Sequence, residues 1–334
     1  MKEGRVRWGV ISTARIGRNA VNPAIQASKN GELLAVASRD AESARVFAGK
    51  NGIPRSYGSY EDLLADPEID AVYIPLPNGL HLEWTRRAAE AGKHVLCEKP
   101  LALNEAECGE IAEVAESQGV QVMEAFMYRF HPRVSRVVER IRNGDIGDLR
   151  VIRSSFTFPL TRPKDIRWSP DLGGGALMDV GCYCVNISRT LAGAEPVEVQ
   201  ATANWTDGGV DEVMVALMRF PNDVLAHFDC SLTMERNQAC EVAGTKGQLI
   251  LPLAFSPGEK DAPIRHLWGR NGEETEIVPA VNQYREMVEH FSEAVLKKEE
   301  LRYPVTEAAQ NMRTIDALHR SARENGRPVV LADD

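Results

Sequence analysis

The sequence predicts an α/β chain in two parts: an N-terminal doubly wound parallel sheet, then an α+β domain with a large, mainly antiparallel sheet. Three observations predict this. Up to about residue 125, short apolar runs alternate with helix-length amphipathic stretches across short loops, the pattern of strands joined by right-handed helical crossovers. Beyond Tyr128 the apolar runs lengthen and are joined by turns, the pattern of antiparallel pairing. And 334 residues exceed one ordinary domain but suit two. The boundary falls near residues 125 to 130, dividing the chain into 1–127 and 128–334.

Residues 5 to 11 (RVRWGVI) read as the first strand, and residues 12 to 17 (STARIG) turn it into a helix running to about Ser28. A second apolar strand, 32 to 37, is followed by a helix to Gly49 with Asp40 suited to its N-cap. Ser59 and Asp62 have the spacing of a capping box at the start of the next helix. Residues 69 to 74 form the next strand, and the helix from about Leu80 to Ala91 stops at Gly92. His94 to Cys97 is again a strand, then a helix (104 to 118) and a strand (120 to 125) complete the pattern. In the second part, VIRSSFTF, VEVQATANW, VMVALMRF and VLAHFDCSLTM read as longer strands, with a tight hairpin turn at Gly244-Thr245-Lys246-Gly247. One helix (about 174 to 191) interrupts them, and two more, 282 to 297 and 306 to 324, close the chain.

Composition narrows the function. Lysine and arginine number 39 against 48 acids, a net charge of −9, with no basic run; this argues against a nucleic-acid or anionic-membrane partner. The six cysteines include no CxxC pair and no metal-ligand spacing, so they read as reduced thiols and no metal is expected. The N-terminus has no apolar leader and no segment approaches a membrane span, which makes cytoplasmic the expected location.

A strand, a tight turn and a helix N-terminus form the frame that holds a dinucleotide's pyrophosphate in a Rossmann domain. Set against GxGxxG, residues 12 to 17 keep only Gly17; Ser12 and Ala14 replace the first two glycines. Ser12, Thr13, Ala14, Arg15, Ile16 and Gly17 are the expected phosphate-facing turn, the hydroxyls of Ser12 and Thr13 adding donors; a nucleotide-free Rossmann domain is the other reading. Beyond the second strand, where NAD enzymes place an acid for the ribose, stand Ser38 and Arg39, both able to donate to a 2′-phosphate. Asp40 either caps its helix or serves NAD. The first reading is preferred, which makes NADP the expected cofactor and NAD the second choice.

Glu98-Lys99-Pro100 follows the apolar run HVLC. Proline disfavours the helical region for the residue before it, so Lys99 is expected to be extended at a strand's carboxyl end, where open parallel sheets bind ligands. Alone, the tripeptide reads equally as a surface lysine beside a loop proline.

Five segments in order carry a resemblance: RWGVISTARIG, IPLPNGLH (74 to 81), HVLCEKPLA (94 to 102), EAFMYRFHP (124 to 132) and DLGGGALMDVGCYCVN (171 to 186). Together they resemble the Gfo/Idh/MocA oxidoreductases, in particular the branch of dimeric dihydrodiol dehydrogenases and NADP-dependent xylose dehydrogenases. The resemblance implies a Rossmann domain, a second domain whose open sheet forms a homodimer or homotetramer interface, and Lys99 as the active-site lysine. Many members carry DxxxHxxD on a helix; here Asp179, Tyr183 and Asn186 stand at those positions. The resemblance implies that Tyr183 donates the proton.

Hydride exchange with nicotinamide must be matched by proton transfer at the substrate oxygen. A phenol titrates near pH 10, too high for an efficient base at neutral pH, and a neighbouring ammonium lowers that value. Lys99 and Tyr183 are therefore the expected acid–base pair, with the roles exchangeable. Asp179, one helical turn before Tyr183, is expected on the same side, to orient a hydroxyl or Lys99; in isolation it reads as a solvated acid and Tyr183 as a core aromatic. Pro75, Leu76, Asn78 and His81 are expected beside the nicotinamide ribose, Glu98 at the cofactor, and Arg129 and His131 along the cofactor–substrate cleft, with His131 equally suited to the hinge. Arg167 and Trp168 are expected over cofactor or substrate, with packing an equal alternative for Trp168. The expected reaction is NADP-dependent oxidation or reduction of a sugar or related polyhydroxy ring. The rivals are a non-catalytic NADP-sensing regulator and an aldose–aldose oxidoreductase that retains its cofactor.

Overall fold

The computed structural model describes residues 4–331, and they divide into two compact units. One comprises residues up to 127 together with 282–309; the other comprises 128–281 together with residues from 310 on.

The first unit holds six parallel strands: β1 (Val6–Ile11), β2 (Gly31–Ala37), β3 (Arg55–Tyr57), β4 (Ala71–Ile74), β5 (His94–Cys97) and β6 (Val122–Glu124). Their order, β3-β2-β1-β4-β5-β6, reverses direction of winding between β1 and β4. The carboxyl ends of β1 and β4 therefore flank the crevice at which such sheets bind ligands. Between the strands run α1 (Asn22–Ala27), preceded by a π turn over Gly17–Val21, then α2 (Ala41–Asn51), α3 (Tyr60–Leu64), α4 (His81–Glu90) and α5 (Glu105–Gln118). Capping fixes where they start. Asp40, Ser59 and Asn104 each accept the backbone N–H three residues on, offsetting one of the helix's orphan donors. Strand β4 is buried at every residue and β5 at all but His94, as a sheet covered on both faces requires.

The second unit opens with α6 (Pro132–Arg142) and carries a nine-stranded sheet: β7 (Leu149–Thr157), β8 (Glu198–Trp205), β9 (Asp211–Arg219), β10 (Leu225–Ser231), β11 (Asn237–Gly244), β12 (Gln248–Pro252), β13 (Ala262–Trp268), β14 (Gly272–Val278) and β15 (Val329–Val330). Its order is β14-β13-β12-β11-β7-β10-β9-β8-β15. Seven of its eight pairings are antiparallel and one, β10 with β7, is parallel. A π turn (Leu177–Gly181) leads into α7 (Cys182–Ala192), which packs on β7 and β10. The other face alternates outward: Val215 and Leu217 of β9 are about half exposed while Met214, Ala216 and Met218 are buried.

Two helices close the chain, α8 (Gln283–Lys297) and α9 (Val305–Arg323). The expected second domain ran unbroken from 128; instead residues 282–309 group with the first unit. The reason is Trp8 at the centre of β1. It is fully buried, its ring lies 5.3 Å from that of Phe291, and its indole N–H donates to the Ser292 hydroxyl at 3.3 Å. Helix α6 and strands β3, β13, β14 and β15 were not anticipated. In α6 the inner face carries Arg133 and Arg140, which break the apolar period. Both are satisfied inside: Arg133 donates to the carbonyls of Pro252, Leu253 and Ala254, and Arg140 pairs with Asp145, Glu274 and Glu276.

Candidate active site

The turn after β1 takes the path a glycine normally allows. Ser12 has φ +118°, a region that residues with a Cβ rarely occupy and that costs about 1–3 kcal/mol. Its hydroxyl donates to the Pro75 carbonyl at 3.3 Å and accepts from the Ala14 N–H at 3.3 Å, tying the ends of β1 and β4 together across the reversal point. Thr13, Ala14 and Ile16 are half-buried and Arg15 is exposed. At Gly17 a Cβ would lie 3.3 Å from Asn22 Oδ1 and within van der Waals contact of Tyr73 and Pro75, so glycine keeps the helix close to β4. Asn22 was not anticipated. It is 1% exposed, and neither its amide oxygen nor its nitrogen has a partner among the described residues. An unsatisfied buried amide is costly and marks a place to expect a ligand or ordered water. Its one sequence signal is polarity on a helix face otherwise made of Val21, Ala24 and Ile25.

At the end of β2, Asp40 caps α2: its carboxylate accepts the Ser43 N–H at 2.7 Å, and Ser43 holds it below the usual carboxylate range. Ser38 is half-buried and Arg39 exposed, both beyond the strand's end. Burial pushes the Tyr60 phenol up, and Arg39 beside it pulls it back. Two donors and a committed Asp40 fit a 2′-phosphate better than a free ribose diol. With the turn at 12 to 17 and the orphaned Asn22 amide, the first unit's residues fit an NADP-type dinucleotide.

The turn after β5 is anchored on both sides of Lys99. Glu98 donates its N–H to the Ile74 carbonyl at 3.0 Å and accepts the Tyr73 hydroxyl at 2.6 Å. Tyr73 is wholly buried, and burial and Glu98 push its phenol well up, so it stays a donor. Burial and Glu98 also raise Tyr284, supplied by α8. Lys99 is half-buried, and the Lys99–Pro100 peptide is cis. On the far side, Leu101 N–H donates to Glu124 at 2.8 Å. His81 is fully buried: Nδ1 lies 2.8 Å from the Pro100 carbonyl and Nε2 2.9 Å from that of Leu76. Burial lowers its pKa to about 4, the two carbonyls oppose this, and Lys99 adds to it. The ring is therefore neutral at pH 7, with one N–H to give. His81 lies between the loop after β4 and the Lys99 turn, and its single N–H can serve only one of the two carbonyls at a time. Pro75 and Leu76 are buried, and Asn78 is half-buried in a short turn.

In the second unit, Arg129 is buried and His131 caps α6, its Nδ1 accepting the Arg133 N–H at 3.1 Å. Asp179 accepts from Arg167 Nε at 2.6 Å; Asp165 also holds that guanidinium, at 3.0 Å. Burial pulls Arg167 down, and the two acids more than reverse it. Asp179 is thus half of an ion pair and not a solvated acid. Trp168 is half-buried, its indole N–H on the Arg162 carbonyl at 3.1 Å. Tyr183 is 6% exposed, in an aromatic cluster with Tyr128, Phe156 and Phe255 at ring distances of 5.8, 5.2 and 5.3 Å. Asn186, at the position of the motif's last acid, accepts the Tyr128 hydroxyl at 2.6 Å and is fully buried, a structural role.

The glycines before this helix have separate reasons. Gly173 is left-handed (φ +71°) after a short turn; at Gly174 a Cβ would lie 2.4 Å from the Arg167 carbonyl oxygen; at Gly175 (φ +113°) it would lie 2.2 Å from Asp211 Oδ1. Within the first unit, then, the structure joins Ser12 to Pro75, His81 to Leu76, and Glu98 to β4. Within the second it joins Arg167 to Asp179. Among the described residues no group of three or more His, Cys, Asp and Glu could hold a metal, and no helix is long and apolar enough to cross a membrane.

Residues 6–126 match the oxidoreductase family with an NAD-binding Rossmann fold, and residues 134–250 match the GFO/IDH/MocA C-terminal domain. The chain is 41% identical to a D-xylose 1-dehydrogenase (NADP(+)) of Haloferax volcanii over 97% of its own length and 99% of the other's. It is 36% identical to the mouse trans-1,2-dihydrobenzene-1,2-diol dehydrogenase, covering 83% of this chain and 81% of that one. Its fold superposes on a 3-ketoreductase from Actinomadura kijaniata, solved with NADP and TDP-benzene, with a TM-score of 0.91 at 32% identity, covering 95% and 98% of the two chains.

Proposed function

The chain belongs to the Gfo/Idh/MocA oxidoreductase family, and from that premise we propose that it is an NADP-dependent enzyme exchanging a hydride with a sugar or related polyhydroxy ring, with Lys99 and Tyr183 as the acid–base pair. The observation that carries the reading is the anchored Lys99 turn. A lysine that only decorated a surface would not need Tyr73 on the carboxylate before it and His81 on the carbonyl after it. The two dehydrogenases among the relatives are named for xylose and for an aromatic trans-dihydrodiol, substrates that both carry neighbouring hydroxyls.

The cofactor supplies or accepts a hydride at its nicotinamide ring when bound. The chain's residues do the rest. The turn at Ser12 to Gly17 receives the pyrophosphate at a helix N-terminus, and Ser38 and Arg39 take the 2′-phosphate. Lys99 polarises the substrate oxygen, and Tyr183 gives or takes its proton in an apolar ring cluster that excludes water. Asp179, held by Arg167, orients a substrate hydroxyl. The open face of the nine-stranded sheet, with Val215, Leu217 and Leu225 outward, serves as the interface of a homodimer or homotetramer.

The test is a panel of aldoses, trans-dihydrodiols and ketosugars with NADP or NADPH, followed by absorbance of the reduced nicotinamide. Turnover is expected, and Lys99→Met and Tyr183→Phe should each lower kcat about 10²–10⁴-fold. Full activity in both variants, or tight NADP binding with no turnover of any substrate, would refute the proposal.

A further inference from the structure

We infer that Asp211 is a positioning residue for Tyr183: from the first residue of β9 it fixes the start of the helix that carries Asp179 and Tyr183. The inference rests on the functional reading above. Asp211 is 1% exposed, and its Oδ2 accepts the Leu177 N–H at 2.6 Å. Leu177 opens the π turn that runs into α7, so this bond caps the helix at one of the donors its own backbone leaves orphaned. The second carboxylate oxygen lies 3.5 Å from His319 Nε2 on α9.

The chain makes room for this contact at a cost. A Cβ at Gly175 would sit 2.2 Å from Asp211 Oδ1, so only glycine lets the carboxylate reach the helix. The same glycine donates its N–H to the Arg167 carbonyl at 2.9 Å, and its own carbonyl accepts the Asp179 N–H at 3.1 Å. Arg167 in turn holds the Asp179 side chain. Asp211, Gly175, Arg167 and Asp179 therefore form one closed set of contacts around the first turn of the helix, with Tyr183 one turn further on. Acid–base groups must be held within roughly half an ångström of the productive geometry, and a shell of bonds behind them does that holding. A helix start free to fray would let Tyr183 wander.

Asp211→Asn keeps an oxygen for the Leu177 N–H and can donate to His319; Asp211→Ala keeps neither. With a substrate turned over by the wild type, Asp211→Ala should lower kcat about 10–100-fold with the KM for NADP unchanged, and Asp211→Asn should stay within about threefold of wild type. An Ala variant at wild-type kcat, an Asn variant as impaired as Ala, or a loss that falls on the nucleotide's KM would each overturn the inference. Should Asp211→Ala not fold, hydrogen exchange at the Leu177 amide decides: slow exchange in wild type and Asp211→Asn is expected, and rapid exchange in the wild type would overturn it. Wild-type protein that turns over nothing defeats the functional reading, whereas turnover with an unaffected Ala variant defeats this inference alone.

Discussion

His131 makes a prediction that can be worked from the structure. It is 2% exposed, its Nδ1 accepts the Arg133 N–H, and its Nε2 is buried without a partner among the described residues. A second proton would have to enter at Nδ1, breaking the cap bond beside a guanidinium. Burial and Arg133 accordingly lower its pKa from 6.5 to about 4. A folded-state value below the unfolded one means that the unfolded chain binds the proton first, so stability is intact above pH 6.5 and is lost as pH falls through the window down to about 4. At about pH 5 the unfolded form gains roughly 30-fold in population weight, about 2 kcal/mol, rising towards about 3 kcal/mol at lower pH. His131→Asn is the clean perturbation, because asparagine is a strong N-cap that carries no proton to gain. Urea unfolding of both proteins at about pH 7 and about pH 5 measures it. The variant should match the wild type within about 1 kcal/mol at the higher pH and lose about 2 kcal/mol less on acidification. Equal losses in the two proteins would refute the reasoning.

Two further outcomes follow from the cofactor and interface readings. Arg39→Ala should raise the KM for NADP about 10–100-fold, the worth of one charge-assisted phosphate contact, and leave that for NAD unchanged, as measured by initial rates with each nucleotide; equal effects on both would remove Arg39 from the 2′-phosphate. Leu217→Glu, placed on the outward face beside Val215, should convert an oligomer to a monomer by light scattering with little change in the monomer's own stability, since the side chain is already 53% exposed; an unchanged oligomer would clear that face of the interface.

Much of the first unit was legible because its signals are local. Asp40, Ser59 and Asn104 announce their helices by side chains that bond three residues away, although α2 runs past the expected Gly49 to a left-handed Gly52. The sheet's winding was legible because a parallel sheet admits few connections. What stayed hidden depends on distant parts of the chain. Helix α6 was obscured by arginines whose acceptors lie more than a hundred residues away, at Pro252 to Ala254 and at Glu274. Asp211 looked like any acid at a strand's start, and only the space vacated at Gly175 gives it meaning. Ser12 shows the reverse case: a missing glycine suggested a weakened phosphate turn, yet the serine adopts the glycine's backbone and adds a bond to Pro75.

The pairing of Trp8 with Phe291 and Ser292 has a consequence for how the molecule comes into being. A ribosome delivers the first six parallel strands early, but the residues that shield the innermost indole arrive only after some 280 others have been made. A fragment cut at residue 127 would therefore present a bare aromatic surface and should aggregate unless residues 282–309 are added back. Anyone seeking to graft this nucleotide-binding half onto another protein must carry the distant segment along with it.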